Sequence, residues 1–176
     1  MIADKLGIKL YDKEFITKVA QETGLSEEYI ENNEQKRESL SSLNNGYYFG
    51  LNNADELFLK ETELIKEIAS KEPCVIIGRC ADFILKDKEN VFKVFVYSDI
   101  EGKLKRTTEI YGFDKEKAQK EIKRIDKLRA NHYKHYTEKE WKDYSNYDLC
   151  INSDTLGVER TADLICDMVK EKQEVL

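Results

Sequence analysis

Apolar residues recur along this chain at two spacings, and the two alternate. Stripes at i, i+3 and i+4 mark amphipathic helices, whereas short unbroken apolar runs mark buried strands. Phe15, Ile16, Val19 and Ala20 predict a helix over 12–22, with Asp12 as a fair N-cap. Ser26, followed by Glu27, Glu28 and Ile30, reads as another helix start. Leu57, Leu59, Leu64, Ile65 and Ile68 predict a long helix over 54–70 with these side chains mostly inward. After Pro73, residues 74–78 are apolar up to Gly78 and read as a buried parallel strand, and a short helix starts at Ala81. Residues 92–97 read as a second buried strand, and 100–111 as a helix stopped by Gly112. A long basic helix over 114–135 has Asp114 as its N-cap, a third strand covers 147–151, and a final helix covers 158–172. Residues 37–53, rich in Ser, Asn, Gly and Tyr, read as a mobile connection.

Helices alternating with buried strands predict an α/β fold built on a parallel sheet. In such sheets ligands bind beyond the carboxyl ends of the strands. That rule selects Gly78-Arg79, Tyr97-Ser98-Asp99 and Asn152-Ser153-Asp154.

Composition narrows the class. The 176 residues fit one domain, and 36% are charged, so a soluble globular protein is expected. No apolar run approaches the roughly 18–20 residues of a membrane span, and residues 1–10 lack the pattern of a secretory signal. The four cysteines, Cys74, Cys80, Cys150 and Cys166, match no zinc spacing and read as reduced thiols of a cytoplasmic protein. The net charge is −6, yet between Lys103 and Lys142 thirteen Lys/Arg stand against seven Asp/Glu. Such a stretch is either a solvated helix pair or a site for phosphates.

Two places could carry chemistry. In Val75-Ile76-Ile77-Gly78-Arg79-Cys80-Ala81-Asp82 a buried strand runs into Gly and then Arg. Gly permits a tight turn and leaves room for a ligand, and the planar Arg fork suits a phosphate or a base edge. Asp82 lies one helical turn on, where it could share that ligand or pair with Arg79 to cap the next helix. The second place is the basic helix, where Lys120, Arg124 and Lys127 share one face. Phosphoryl transfer needs such charges, and a solvated face would look the same. His132 and His135 lack a third ligand at a recognisable spacing, so no metal site is expected. Tyr47, Tyr48, Tyr133, Tyr136 and Tyr144 could stack on a base or simply pack. The only Gly-Lys pair, Gly102-Lys103, is followed by Leu104 and has Tyr97 five positions before the Gly, so it is not a G-x-x-x-x-G-K-S/T phosphate loop.

Four stretches together resemble the cytidylate-kinase-like family of bacterial P-loop kinases. They are residues 6–13, Pro73 to Asp82, Asp126 to Trp141, and Tyr147 to Gly157. The resemblance implies a P-loop nucleoside monophosphate kinase fold, a three-layer sandwich on a parallel sheet with a helical lid, spread over one domain, 1–176. It implies transfer of the ATP γ-phosphate, with Mg²⁺, to a CMP-like nucleoside monophosphate. Tyr11, Asp12, Gly78, Arg79 and Asp82 look like the acceptor side, with 25–53 as a mobile acceptor-side segment. Arg124, Lys127 and Arg129 look like catalytic charges of a lid at 114–145, and Asn152 and Ser153 like the adenine-side loop. Family members begin with a strand and a Gly-rich loop that this sequence does not show. The first, central strand and the P-loop are therefore expected to be missing, and transfer by these 176 residues alone is not expected. Strands 75–78 and 92–97 should then either pair directly or have their gap filled by another segment or subunit, with a homodimer through exposed sheet edges as one outcome. Two alternatives stay open: a degenerate kinase fold that binds a nucleotide or partner without catalysis, and an RNA binder using the basic helix. The acidic remainder of the chain argues against nucleic acid.

Overall fold

The structure is a computed structural model that describes residues 1–12, Phe15, 53–110 and 112–175. The predicted helix start at Ser26, the connection over 37–52 and most of the helix over 12–22 lie outside the described residues. Phe15 is helical and buried, as the stripe requires. The described chain groups into two compact units, Gly7–Leu85 and Met1–Leu6 with Lys86–Leu176.

In the unit Gly7–Leu85, β1 (Lys9–Tyr11) pairs in parallel with β2 (Cys74–Ile76), with Leu10 opposite Val75. Between them in sequence runs α2 (Asn53–Lys71), and after β2 comes the short α3 (Ala81–Ile84). Leu57, Leu64, Ile65 and Ile68 of α2 are buried. Leu59 is 48% exposed, contrary to its expected inward place. It lies about 200° around the helix from Leu57, so it falls on the opposite face. The buried stripe is completed instead by a charged residue, Glu61, which is 2% exposed.

The other unit opens with α1 (Ile2–Leu6), whose Lys5 forms a 2.8 Å ion pair with Asp163 of the last helix. Then come β3 (Val94–Tyr97), α4 (Ile100–Glu109), α5 (Lys115–Thr137), a 3-10 turn (Tyr144–Asn146), β4 (Leu149–Asn152) and α6 (Ser153–Val175). β3 and β4 pair in parallel, with Val94 opposite Leu149 and Tyr97 opposite Asn152. Asp99 caps α4 by accepting from the Gly102 N–H, and Asp114 caps α5 by accepting from the Glu116 and Lys117 N–H groups. Inside α6, Gly157 has φ 76° and interrupts the helix, which resumes at Val158 where the apolar pattern predicts its start. Phe95 of β3 stacks on Tyr147 at 4.9 Å and meets the Trp141 ring edge-to-face at 5.4 Å. The turn that follows α5 is thereby fastened to the sheet.

The architecture is thus α/β with small parallel sheets, and the described residues do not make up the full sandwich. They hold two sheets of two strands each, β1–β2 and β3–β4. The strands are also less buried than their apolar runs predict: no residue of β2 is fully buried, and Val96 and Tyr97 of β3 are 48% and 44% exposed. Full burial of a parallel strand needs neighbours on both edges and cover on both faces. A two-stranded sheet supplies a partner on one edge only.

Candidate functional site

In the unit Gly7–Leu85, the chain leaves β2 through three successive left-handed residues: Gly78 (φ 75°), Arg79 (φ 58°) and Cys80 (φ 54°). Glycine adopts this conformation readily, whereas for Arg and Cys it costs roughly 1–2 kcal/mol each. A Cβ on Gly78 would meet nothing within 4 Å, so the glycine is required by its φ and not by crowding. The turn is held by the Ala81 N–H donating to the Gly78 carbonyl at 3.1 Å, and by the Phe83 and Ile84 N–H groups donating to the Cys80 carbonyl at 3.0 and 2.9 Å. The buried Cys80 side chain anchors it from below.

This turn aims Arg79 at α2. Its Nη1 lies 3.3 Å from Oε1 of Glu61, and the two side chains are 14% and 2% exposed. Glu61 was not singled out by the sequence reading. Its signal is a carboxylate four residues after Leu57 and four before Ile65, in the middle of an apolar stripe. Asp82 sits half-buried in the first turn of α3. Tyr11 is 7% exposed, and its hydroxyl donates to Glu72, which also pairs with Lys9 at 2.7 Å. That carboxylate precedes β2, so the phenol is engaged away from the strand's carboxyl end. Asp12, just beyond β1, is exposed.

In the other unit, the carboxyl ends of β3 and β4 are tied together by Asp154. Its Oδ2 accepts from the Ser98 hydroxyl at 2.7 Å and from the Asp99 N–H at 2.9 Å, and Arg106 lies 3.7 Å from its Oδ1. The hydrogen bond from Ser98 is the main cause holding the Asp154 carboxyl below the usual range; desolvation opposes it, and the Asp99 N–H and the charges of Arg106 and Lys103 add smaller lowering effects. The carboxylate sits where Gly102 has no side chain: a Cβ there would fall 2.2 Å from Oδ1. Asn152 accepts from the Asp154 N–H at 2.9 Å, and the buried Ser153 hydroxyl donates to the Tyr97 carbonyl at 3.2 Å. Asn152 and Ser153 thus shape this junction. Ser98, Arg106 and Asp154 join it without having been singled out as a constellation, because their contacts span more than 45 residues of sequence.

Along α5, Arg124 makes a two-pronged pair with Glu121, Nε to Oε2 at 2.9 Å and Nη2 to Oε1 at 2.7 Å, with both side chains exposed. Arg129 lies 3.5 Å from Asp126, which also pairs with Lys103 of α4 in a half-buried contact. Lys127 is exposed. The rings of His132 and His135 both pack edge-on against Tyr136.

The family model for the cytidylate kinase-like family matches residues 1–155. The chain belongs to the cytidylate kinase-like family. A crystal structure of an uncharacterized protein from Eubacterium ventriosum ATCC 27560 is similar to it, with a TM-score of 0.74 and 28% identity over 97% of this chain and 88% of that one. No curated protein matches. A kinase-like family implies nucleotide substrates, and ATP with Mg²⁺ in general. Among the described residues no group of three His, Cys, Asp or Glu side chains could hold a metal ion. Asp154, the acid at the strand ends, is already engaged by Ser98, Asp99 and Arg106. Among them no helix is long and apolar enough to cross a membrane. All four cysteines are free, and burial pushes the Cys74, Cys150 and Cys166 thiols up.

Proposed function

We propose that this cytidylate kinase-like protein acts on nucleoside monophosphates of the CMP type, receiving the γ-phosphoryl group of ATP onto the acceptor phosphate. The observation that carries the reading is Arg79. Its guanidinium is set by a left-handed turn at the carboxyl end of a parallel strand, where α/β folds place their ligands. A guanidinium offers five N–H donors in a plane and can grip a phosphate through two of them. Gly78 lets the backbone make that turn, and Asp82 and Asp12 are carboxylates near the same strand ends that can accept from hydroxyl or amino groups of an acceptor nucleoside. Arg124, Lys127 and Arg129 supply the positive charge that phosphoryl transfer requires, since such catalysis is mainly positioning and charge stabilisation. Asn152 and Ser153 are assigned to the base end of the donor nucleotide. Bound ATP supplies the phosphoryl group.

Titration of the full chain with CMP, UMP, AMP and GMP, followed by a transfer assay with ATP, tests this reading. CMP should bind in the micromolar range and more tightly than the purine nucleotides, and Arg79→Lys should weaken it. Failure to bind any nucleoside monophosphate sinks the proposal. A second reading, nucleotide binding without transfer, is favoured by one fact: none of the 176 residues forms a G-x-x-x-x-G-K-S/T loop. CMP binding without ATP binding or turnover selects it.

A further inference from the structure

We propose that Tyr97 is the stacking platform for the base of the donor nucleotide, and that the site favours purines without choosing among them; this rests on the donor-base role assigned to Asn152 and Ser153 above. Tyr97 ends β3, at a strand end where α/β folds place ligands and which the proposed function leaves unused. It is 44% exposed, although an aromatic ring gains by burial. The ring is nonetheless held in place. It stacks on Phe95, with centroids 6.2 Å and planes 23° apart, and Phe95 packs in turn against Tyr147 and Trp141. The backbone beneath it is fixed as well, since the Tyr97 carbonyl accepts from the buried Ser153 hydroxyl. A preset, half-exposed ring gives up little freedom when a flat ligand lands on it.

Asn152 stands directly opposite Tyr97 in the parallel register, so the two side chains leave the sheet on the same face. The Asp154 N–H donates to Asn152 Oδ1 at 2.9 Å, and this bond fixes which way the amide is turned. Its NH2 group makes no hydrogen bond to any described residue. Beside the ring, therefore, stands an amide that offers donors while its oxygen is engaged by the backbone. Such a pair suits a flat base with an acceptor on its edge. N7 is an acceptor that adenine and guanine share, whereas reading the adenine amino group would need the engaged amide oxygen. A two-ring base also covers more of the Tyr97 face than a one-ring base, so it stacks more strongly. The ligand class is a purine nucleoside triphosphate.

The test is calorimetric titration of the full chain with ATP, GTP, CTP and inorganic tripolyphosphate, which lacks a base. ATP and GTP should bind within about three-fold of each other, and CTP roughly five-fold more weakly than either. Tyr97→Ala should lower ATP and GTP affinity about ten-fold, the scale of one lost base stack, and leave tripolyphosphate affinity unchanged. Tyr97→Leu keeps apolar bulk against Phe95 but offers no aromatic face, so it should show the same selective loss. It carries the test alone if Tyr97→Ala does not fold. Equal weakening of ATP and tripolyphosphate, or no change in either, overturns the stacking role. A strong preference for ATP over GTP overturns the purine-wide reading, and absence of any triphosphate binding overturns both. If the chain binds CMP but Tyr97→Ala keeps the ATP-to-tripolyphosphate ratio, only this inference fails. If it binds no nucleoside monophosphate, the proposed function fails whatever the triphosphates do.

Discussion

Arg79 and Arg124 both face a glutamate, and the two pairs differ in almost every physical respect. The Arg79 and Glu61 side chains are 14% and 2% exposed, against 47% and 42% for Arg124 and Glu121. The first pair joins a turn to a helix distant in sequence, whereas the second spans three positions of one helix. In water the charges of an exposed pair are screened and their side chains give up entropy to meet, so the net gain is small. A buried pair is different, because neither charge can be abandoned without leaving the other in a poor solvent. The same two residue types are thus a fixed fitting in one unit and a releasable contact in the other.

The sharpest way to break this comparison is to remove one partner of the buried pair. Arg79→Ala leaves the Glu61 carboxylate without its guanidinium and should cost about 3–5 kcal/mol in chemical denaturation. Arg79→Gly removes the same charge but relieves the left-handed backbone, so it should be less destabilising by about 1 kcal/mol. A cost below about 1 kcal/mol for both would show that the pair behaves as a surface contact and would remove the contrast with Arg124.

A smaller effect is expected at the junction of β3 and β4. Gly102→Ala would place a methyl group on the Asp154 carboxylate, which is held by Ser98, Asp99 and Arg106. The carboxylate must shift and weaken at least one of those contacts, at a cost of about 1–3 kcal/mol read from the denaturation midpoint. The double variant Gly102→Ala with Asp154→Ala should be less than additive, because the clash is absent when the carboxylate is gone. Additive losses would mean that Gly102 matters for some reason other than that close approach.

These sites differ in how far the sequence announced them. The turn after β2 was legible because an apolar run broken by Gly-Arg is a local signal. Helix limits around Asp114 were legible for the same reason, since a cap is a contact between near neighbours. Glu61 left a weaker trace, a charge inside an apolar stripe, and its partner could not be named because pairing across 18 positions depends on tertiary packing. Leu59 was misplaced because its type was read without its angle around the helix. Gly102 could be recognised only as a failed phosphate loop, since its true neighbour, Asp154, lies 52 positions away. Strand burial was not legible either: it depends on how many partners each strand acquires, and a run of Val and Ile carries no count of them.

The smallest effect is expected on α5, where the exposed pair sharpens the comparison from the other side. The hydrogen bond from Arg124 is the main cause holding the Glu121 carboxyl below its usual range, so the pair exists above the carboxylate's ordinary titration range and is lost as pH falls through its lowered value. Because both groups are solvated, Glu121→Gln should leave the denaturation midpoint at neutral pH unchanged within error. What it should change is charge. Arg124 loses its neutralising neighbour, so the affinity of the full chain for ATP should rise slightly at low ionic strength. That gain should vanish in about 1 M salt, where the screening length is only about 3 Å. A midpoint shift as large as that of Arg79→Ala would show that α5 depends on this pair for its fold. An affinity gain that persists in high salt would point to a direct contact by the new amide, and not to a released guanidinium.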